Sequence, residues 1–188
     1  MKFVIIGLGN PGRKYERTRH NAGFLAVEEL ARRSGIDITR ERQQSLAGRG
    51  RIEGQDVILA RPQTYMNESG RAASALLRDE YLSPGSLIVI HDELDLSLGT
   101  VRVKQGGGHG GHNGLRSLIE QLGSSEFARV RIGIGRPAPG QEAADYVLAP
   151  FLAEERGAAD EAVRKAADAV MVILGQDMTR AMNQFNQK

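Results

Sequence analysis

The feature that most constrains the fold of this chain is an alternation between short apolar runs and longer helical patterns. The first run, residues 2–8, is rich in Val and Ile and ends in a Gly-Asn-Pro-Gly turn, which predicts a buried strand. A helical pattern begins near Asn21 and stops at Ser34 and Gly35, as a helix end does. Strands and helices that alternate in this way form α/β sheets, because each helix carries the chain back across the sheet.

Five further runs have the length of strands, at residues 45–52, 56–60, 87–91, 100–104 and 130–134. Only Glu53 and Gly54 separate the first two, which predicts an antiparallel hairpin. Helical patterns begin near Asn67, at residue 115 and beyond Pro139. With no linker inside residues 1–188, the prediction is a single α/β domain with a twisted, mixed β-sheet flanked by helices.

Composition excludes several classes of protein. The chain has 188 residues, 40% hydrophobic and 26% charged, which suits one globular core. Cysteine is absent, so disulfides, zinc-thiolate sites and thiol nucleophiles are excluded. No apolar stretch reaches the roughly 20 residues of a membrane helix, and the first residues meet Gly and Pro too early for a signal peptide. We therefore expect a cytoplasmic protein with no membrane partner, and a net charge of +2 argues against histone-like binding.

The segment GLGNPG at residues 7–12 matches the GxGxxG pattern of dinucleotide-binding folds. In those folds the helix begins directly after the glycines. Here Pro11 and the polar residues 13–17 come first, and the next acidic residues, Glu28 and Glu29, lie within a helical pattern. The glycines are therefore interpreted as turn residues.

Each of the four histidines stands beside turn residues or polar groups. His20 precedes a helix in the segment TRHNAG, where it is either a polar residue near the helix N-terminus or a general base. His91 ends an apolar strand, and the carboxylates of Asp92, Glu93 and Asp95 follow it. These carboxylates either orient an imidazole, as in hydrolytic triads, or form a solvated turn.

His109 and His112 lie in the glycine-rich segment GHGGHNG. Their imidazoles are candidate metal ligands, although their spacing without cysteine is a weak metal signal. The alternative is that they cap the helix that follows.

The asparagines Asn10, Asn67 and Asn113 each occupy a turn between a strand-like and a helix-like segment. Singly each is a typical turn residue. Together they have a second interpretation, because a side-chain amide can hold a peptide or polarise an acyl oxygen. Ser69 lies in NESG rather than in a GxSxG elbow, so water activated by a histidine is a simpler nucleophile than serine.

Basic residues alternate with apolar ones on two predicted strands. Arg102 and Lys104 share one face of the first strand, and Arg129 and Arg131 share one face of the second. They are either solvated strand charges or a site for phosphate.

Four segments in this order resemble the bacterial-type peptidyl-tRNA hydrolases: VIIGLGNPGRKYERTRHNAG, RPQTYMNESG, HDELDLSLGTVRVKQGGGHGGHNGLRSL and RVRIGIGRP. The resemblance runs from about Lys2 to the C-terminal helices. It implies an enzyme that cleaves the ester between a peptide, or an N-blocked aminoacyl group, and tRNA, and so recycles tRNA from aborted translation. It also implies a monomer whose partner is peptidyl-tRNA.

The resemblance assigns roles by position. The catalytic residues would be His20 as general base, Asp92, which orients and polarises it, and Asn10. Substrate-binding residues at the cleft would be Tyr15, Met66, Asn67 and Asn113. The residues for tRNA phosphate would be Lys104, Arg131 and Arg102. No metal and no cofactor are expected, since an activated ester needs only a base and hydrogen-bond donors.

Two other functions remain as alternatives at this point. One is a non-catalytic RNA-binding protein on the same fold. The other is a metal-dependent hydrolase that uses His91, Asp92, His109 and His112, which a chelator would inactivate.

Overall fold

The computed structural model describes residues 1–187, and a seven-stranded sheet lies at its centre. The strands are β1 (Lys2–Gly7), β2 (Arg40–Arg42), β3 (Ser45–Ile52), β4 (Gln55–Pro62), β5 (Leu87–Glu93), β6 (Val101–Gln105) and β7 (Ala128–Gly133). Their spatial order is β2-β3-β4-β1-β5-β7-β6. Strands β4, β1, β5 and β7 run parallel, while β2, β3 and β6 add antiparallel pairs. The predicted mixed sheet and the hairpin of β3 and β4 are confirmed.

Helices flank the sheet on both faces, as predicted. They are α1 (Ala22–Ser34), α2 (Ser69–Asp79), α3 (Asn113–Leu122), α4 (Ala143–Val147), α5 (Arg156–Gly175) and α6 (Met178–Phe185). Successive strand residues point to opposite faces, so Ile5 packs in the core with α1 and α5, while Val4 and Ile6 pack with α2 and α3. None of the helices within residues 1–187 is long and apolar enough to cross a membrane.

Two boundaries differ from the sequence prediction in ways that affect the site. Strand β5 continues past residue 91 through Asp92 to Glu93, because both residues pair with β7. Helix α3 begins at Asn113 rather than at residue 115. Strand β2 was not predicted, since its sequence RER has no apolar residue and lies at the sheet edge, where one side of the strand needs no burial.

Helix α1 is in direct backbone contact with the sheet at Gly7 and Gly23. A Cβ atom on Gly23 would collide with the carbonyl oxygen of Ile90 and the backbone of Leu8, and a Cβ atom on Gly7 would collide with the carbonyl group of Gly23. The two glycines thus let the first turn of α1 lie against the ends of β1 and β5. The residues just before α1 are consequently held at the carboxyl ends of these strands.

Candidate active site

The carboxyl ends of the parallel strands β1, β5 and β7 lie side by side, which is the usual position of a binding site in an α/β sheet. Side chains from three segments meet there. The segments are the 3-10 turn Arg19–Asn21, the 3-10 turn Met66–Glu68, and the glycine-rich loop at residues 106–112. Each of them leads into a helix, respectively α1, α2 and α3.

His20 and Asp92 form the central contact of this site. The Nδ1 atom of His20 lies 2.8 Å from Oδ2 of Asp92, and both side chains are largely buried. An ionised carboxylate can only accept a hydrogen bond, so Nδ1 carries the proton and donates it. In the neutral imidazole Nε2 is therefore unprotonated and available as a base.

The second oxygen of Asp92 is occupied by His112. Its Nε2 atom lies 2.8 Å from Oδ1 of Asp92. Its Nδ1 atom accepts the backbone N–H groups of Gly114 at 3.1 Å and Leu115 at 3.3 Å, at the start of α3. The Nδ1 atom is thus an acceptor, and Nε2–H donates to the carboxylate. The interpretation of His112 as a helix cap is confirmed, and the same ring also holds Asp92.

The charges at this pair shift its pKa values. Burial by itself would lower the pKa of His20, but the negative charge of Asp92 and the hydrogen bond to it raise that pKa above 6.5. Burial opposes ionisation of Asp92, yet the facing rings of His20 and His112 and the hydrogen bonds they donate hold its pKa well below the ordinary range. Asp92 is therefore a carboxylate at neutral pH.

Asp92, the first carboxylate after His91, does not orient the imidazole of His91 but that of His20, and it also binds His112. Strand alternation directs His91 and Asp92 to opposite faces of the sheet. The Nδ1 atom of His91 donates instead to the backbone carbonyl of Asp92 at 2.7 Å. Burial, together with the nearby ring of His112, lowers the pKa of His91 to about 3, so this imidazole is neutral.

The donor atoms needed for a metal converge only in part. His20, Asp92 and His112 each place one ligand atom within 4.8 Å of the others. Both imidazole nitrogens that face Asp92 carry protons and donate them to the carboxylate. A nitrogen that binds a metal ion must be unprotonated, so this arrangement is hydrogen-bonded rather than metal-ligating. The set of His91, Asp92, His109 and His112 is not assembled, since His109 accepts the N–H of Gly111 at 2.9 Å within its own loop.

Asn10 is buried in the loop after β1 with a defined orientation, and with Asn21 it lines a second cavity rather than the one that contains His20. Its Oδ1 atom accepts the backbone N–H of Met66 at 2.7 Å. Its backbone N–H donates to Oδ1 of Asn21 at 2.8 Å, and its carbonyl accepts Nδ2 of Asn21 at 2.9 Å. The amide of Asn21 thus holds the backbone of Asn10. Sequence reasoning missed Asn21, whose only signal is its position directly after His20 in TRHNAG.

Met66 and Tyr15 differ in burial and in the elements that they contact. Met66 is 4% exposed, and its sulfur packs so closely on Gly114 that a Cβ there would lie 2.6 Å away. Tyr15 is half-buried in the 3-10 turn Arg13–Tyr15, and its carbonyl accepts the hydroxyl of Thr18 at 2.9 Å. Met66 therefore joins the bases of α2 and α3, whereas Tyr15 packs within the loop that precedes Thr18.

Asn67 and Asn113 are both exposed at the starts of helices. Asn113 lines the same cavity as His20, and its Oδ1 accepts Arg116 at 3.1 Å. Asn67 makes no side-chain hydrogen bond within the part of the chain that the structure describes, so its amide is free for a ligand. Within residues 1–187, neither side chain is hydrogen-bonded to His20 or Asp92.

The cavity that contains His20 has a volume of about 430 Å³. On one side it is bounded by the glycine-rich loop at Gly110 and Gly111, and on the other by α4 through Ala143, Ala144 and Val147. A volume of this size suits a small ligand or a short piece of a larger one. The site is thus an open cleft with an acid-base pair at its base and an apolar wall.

The basic residues of β6 and β7 share one face of the sheet. Arg102 is paired in register with Arg131, and Lys104 with Arg129. Lys104 is exposed, and Arg131 lies 3.7 Å from Glu93 at the cleft. Arg102 donates to the carbonyl of Phe185 at 2.8 Å, so part of its donor capacity is used within the protein.

Arg129 is the buried member of this basic group, with 2% exposure. Its guanidinium donates to the carbonyls of Gly108 at 2.6 Å and Gly107 at 2.5 Å, and so holds the glycine-rich loop. Burial lowers the pKa of Arg129 but leaves it cationic. Four basic side chains therefore lie together on this face of β6 and β7, with Glu93 as the acidic partner of Arg131.

Comparisons with known proteins agree along nearly the whole chain. A family model described as peptidyl-tRNA hydrolase matches residues 4–188. The peptidyl-tRNA hydrolase of Brevibacillus brevis is 49% identical over 183 residues, which cover 97% of each chain. That of a Geobacter species is 49% identical over 185 residues, which cover 98% of each chain. The resemblance noted from the sequence motifs is confirmed.

The fold agrees with these matches. A crystal structure of peptidyl-tRNA hydrolase from Acinetobacter baumannii superposes with a TM-score of 0.92 at 42% identity, and the match covers 98% of this chain and 94% of that chain. The two chains thus share the same overall fold as well as sequence similarity. This chain belongs to the peptidyl-tRNA hydrolase family.

Proposed function

We propose that this protein hydrolyses the ester between a peptide and tRNA, with His20 as the general base and Asp92 as the group that orients it. The family assignment supports the reaction class. The observation that carries the mechanism is the 2.8 Å contact between Nδ1 of His20 and Asp92 at the base of the cleft. Because Nδ1–H is held by the carboxylate, Nε2 keeps its lone pair for a proton from water.

In the proposed reaction a water molecule attacks the ester carbonyl carbon while Nε2 of His20 removes one of its protons. A new C–O bond forms, and the carbonyl oxygen becomes an oxyanion. The bond from this carbon to the ribose oxygen then breaks, and the imidazolium returns its proton to that oxygen. The products are a peptide carboxylic acid, which releases its remaining proton to solvent, and tRNA with a free ribose hydroxyl; Asp92 stabilises the imidazolium while it exists.

Asn10 is the proposed donor to the oxyanion. Its Oδ1 atom is already occupied by the N–H of Met66, so the end of the amide that remains for substrate is the Nδ2 donor. A donor directed at the developing negative charge lowers the barrier without a metal ion. No covalent intermediate is needed, because the ester is already a reactive acyl donor.

Asn67 and Asn113 are the proposed partners of the peptide, with Met66 and Tyr15 beside them. Both asparagines are exposed, and a side-chain amide can donate to and accept from a peptide bond. A free aminoacyl ester offers an ammonium group instead of that peptide bond. Loss of one such pairing typically costs about 1–3 kcal/mol, which favours peptidyl-tRNA over aminoacyl-tRNA.

Lys104, Arg131 and Arg102 are the proposed residues for tRNA phosphate. They lie on one sheet face beside the cleft, and the buried cation of Arg129 adds to their positive field. Contacts with phosphate carry no base sequence, so different tRNAs can bind alike. The same contacts would make binding weaken as salt concentration rises.

The decisive experiment compares two substrates with three proteins. N-acetyl-aminoacyl-tRNA and unblocked aminoacyl-tRNA are each incubated with the wild type, with His20→Ala, and with His109→Ala as a matched histidine control outside the pair. We expect the wild type and His109→Ala to cleave the blocked substrate alone, and His20→Ala to bind tRNA normally while losing nearly all turnover.

Turnover by His20→Ala at the wild-type rate would overturn the role of His20. A folded wild type that binds tRNA but cleaves neither substrate would overturn the hydrolase proposal and favour a non-catalytic RNA-binding function.

A further inference from the structure

Arg19, which precedes His20 in the 3-10 turn, is a buried cation with a dense set of partners. Its side chain is 4% exposed. Its Nη2 atom forms an ion pair with Glu155 at 2.8 Å, and its Nη1 atom donates to the carbonyl of Tyr146 at 3.1 Å. The centre of the guanidinium lies 4.0 Å from the centroid of the Tyr146 ring, which adds a cation-π contact.

The partners of Arg19 belong to one segment, residues 143–155, here called the strap. The backbone N–H of Arg19 donates to the carbonyl of Ala149 at 3.0 Å, and the preceding residue, Thr18, forms an isolated bridge with Pro150. Both the side chain and the backbone of Arg19 therefore bind the strap. Glu155 fixes the end of the strap as well, since its carboxylate also accepts the N–H of Leu152 at 2.8 Å.

The strap also forms the apolar wall of the cleft. Ala143, Ala144 and Val147 line the cavity that contains His20. Between them Tyr146 turns away from the cavity, and its hydroxyl donates to the carbonyl of Ile134 at 2.6 Å, just beyond β7. Arg19 thus lies at the point where the turn that carries His20, the cleft wall and the end of β7 are joined.

We propose that Arg19 is a positioning residue for the hydrolysis: it keeps the turn of His20 and the strap in a fixed relation, so that Nε2 faces an ester bound against the strap. The inference rests on the proposed function, because it requires His20 to be the base. The structural support is that these partners of Arg19 all belong to the segment that forms the cleft wall. They are a carboxylate, backbone carbonyls and an aromatic ring. The Nε–H of Arg19 is buried without a partner within residues 1–187, so this cation is kept buried although one donor is unpaired.

The conservative variant Arg19→Lys separates positioning from simple stabilisation. Lysine keeps the positive charge for Glu155, but one ammonium cannot stack on Tyr146 and bind its carbonyl and Glu155 as a planar fork does. Arg33→Lys is the matched control. Arg33 also joins two elements, through an ion pair with Asp168 and a bond to the carbonyl of Arg164 at 3.2 Å, but it lies between α1 and α5.

The kinetic test uses N-acetyl-aminoacyl-tRNA with the full chain. We expect Arg19→Lys to lower kcat about tenfold or more and to leave KM within about twofold, since misplacement of a base affects the chemical step more than tRNA binding. Arg33→Lys is expected to match the wild type. Glu155→Gln is a second variant that keeps the acceptor for Leu152 and removes only the charge facing Arg19, and it should lower kcat in the same direction.

A spectroscopic test reports on the site without turnover. In the wild type, proton NMR of the ring N–H groups should show two protons bound to Asp92, one from Nδ1 of His20 and one from Nε2 of His112. In Arg19→Lys we expect the His20 signal to broaden or shift while that of His112 is retained, which makes His112 an internal control for folding.

Unchanged His20 signal and unchanged kcat in Arg19→Lys would overturn the positioning role. Loss of both ring signals would also overturn it, because the effect would then be general to the site. A wild type with both signals but no hydrolysis would instead contradict the proposed function.

Discussion

The side-chain oxygen of Asn10 accepts the backbone N–H of Met66 at 2.7 Å, and this bond determines which end of the Asn10 amide is left for substrate. Oxygen and nitrogen of an amide have nearly the same shape, so only their partners distinguish them. The contact joins the end of β1 to the turn before α2. It leaves Nδ2 as the free donor, and a single isosteric substitution can test that assignment.

Asn10→Asp should lower kcat about a hundredfold and change KM little. The carboxylate can still accept the N–H of Met66, but its second oxygen would repel the oxyanion instead of donating to it. Initial rates with N-acetyl-aminoacyl-tRNA over a range of concentrations measure both constants. Asn183→Asp on α6 adds the same charge away from the cleft, and it should behave as the wild type. A higher KM with an unchanged kcat for Asn10→Asp would instead assign Asn10 a role in substrate binding.

The pH dependence of kcat/KM should report the pKa of His20. Its neutral form is the base, so activity should rise with pH and reach half its plateau above pH 6.5, where Asp92 raises that pKa. Asp92→Asn removes the charge and leaves burial unopposed, so the midpoint should move below 6.5 and kcat should fall roughly 10²- to 10⁴-fold.

Rates from pH 5 to 9 with the same blocked substrate measure the shift. Asp160→Asn on α5 is the control and should keep the wild-type midpoint. The same midpoint in Asp92→Asn would show that another group titrates.

Replacing both Lys104 and Arg131 with alanine should raise KM roughly tenfold. It should also make KM depend less on salt concentration, by about the amount expected for the loss of two phosphate contacts. Lys104 is exposed, Arg131 is paired with Glu93, and neither lines the cavity that contains His20, so kcat should remain near the wild-type value. KM measured at several potassium chloride concentrations gives the slope. Arg51→Ala, an exposed cation on β3, should leave the slope unchanged. A wild-type slope in the double variant would move the phosphate contacts elsewhere.

Removal of metal ions should leave the rate unchanged. The two imidazole nitrogens nearest Asp92 act as proton donors, and a bound ion would require both protons to leave. The enzyme is treated with a chelator, and the tRNA is folded with magnesium before exchange into monovalent salt, so that only the protein is depleted. Loss of activity that zinc or another divalent ion restores would instead support a metal site at His20, Asp92 and His112.

The stability of the fold should depend on Glu80 in acid. This buried carboxylate, at the end of α2, forms ion pairs with Lys2 at 2.7 Å and with Arg42 and Arg49. Burial opposes its ionisation, but the hydrogen bonds from these cations lower its pKa to about 2. A lowered pKa stabilises the folded state above the unfolded value near 4.5, and this stabilisation is lost as the pH falls towards 2.

Glu80→Gln should therefore lower the free energy of unfolding by about 2 kcal/mol at pH 7, and by less than half as much near pH 3. Urea denaturation at both pH values measures this difference. Glu161→Gln, in an exposed pair with Lys165, should change little at either pH. A difference for Glu80→Gln that does not depend on pH would mean that packing rather than charge is responsible.

The sheet was predictable where its strands are apolar, as in β1 and β5, since periodicity is a local property. Periodicity did not predict β2, because its three polar residues form a strand only through pairing with β3. The sequence motifs drew attention to His20 and Asp92, whose catalytic roles remain a proposal. Their contact joins residues 72 positions apart, and spacing alone does not give such a contact.

The shared use of Asp92 was not predictable from the sequence. His91 is its neighbour along the chain, but the pleat turns the two side chains to opposite faces, and His112 takes the second carboxylate oxygen instead. Arg19 escaped notice for a similar reason. A charged residue in a polar segment looks solvated until the strap, more than a hundred positions later, folds over it.

The close contact of Gly7 and Gly23 predicts how tolerant this chain is to change. Neither glycine lines the cavity that contains His20, yet a single added methyl group at Gly23 would push the first turn of α1 away from Ile90 and Leu8. In a library of all single substitutions, selected in cells whose growth depends on this enzyme, variants at both positions should be depleted as strongly as variants at His20. Such a scan would place Gly7 and Gly23 in the same intolerant group as His20, although the glycines act by keeping two backbones close together rather than by their chemistry.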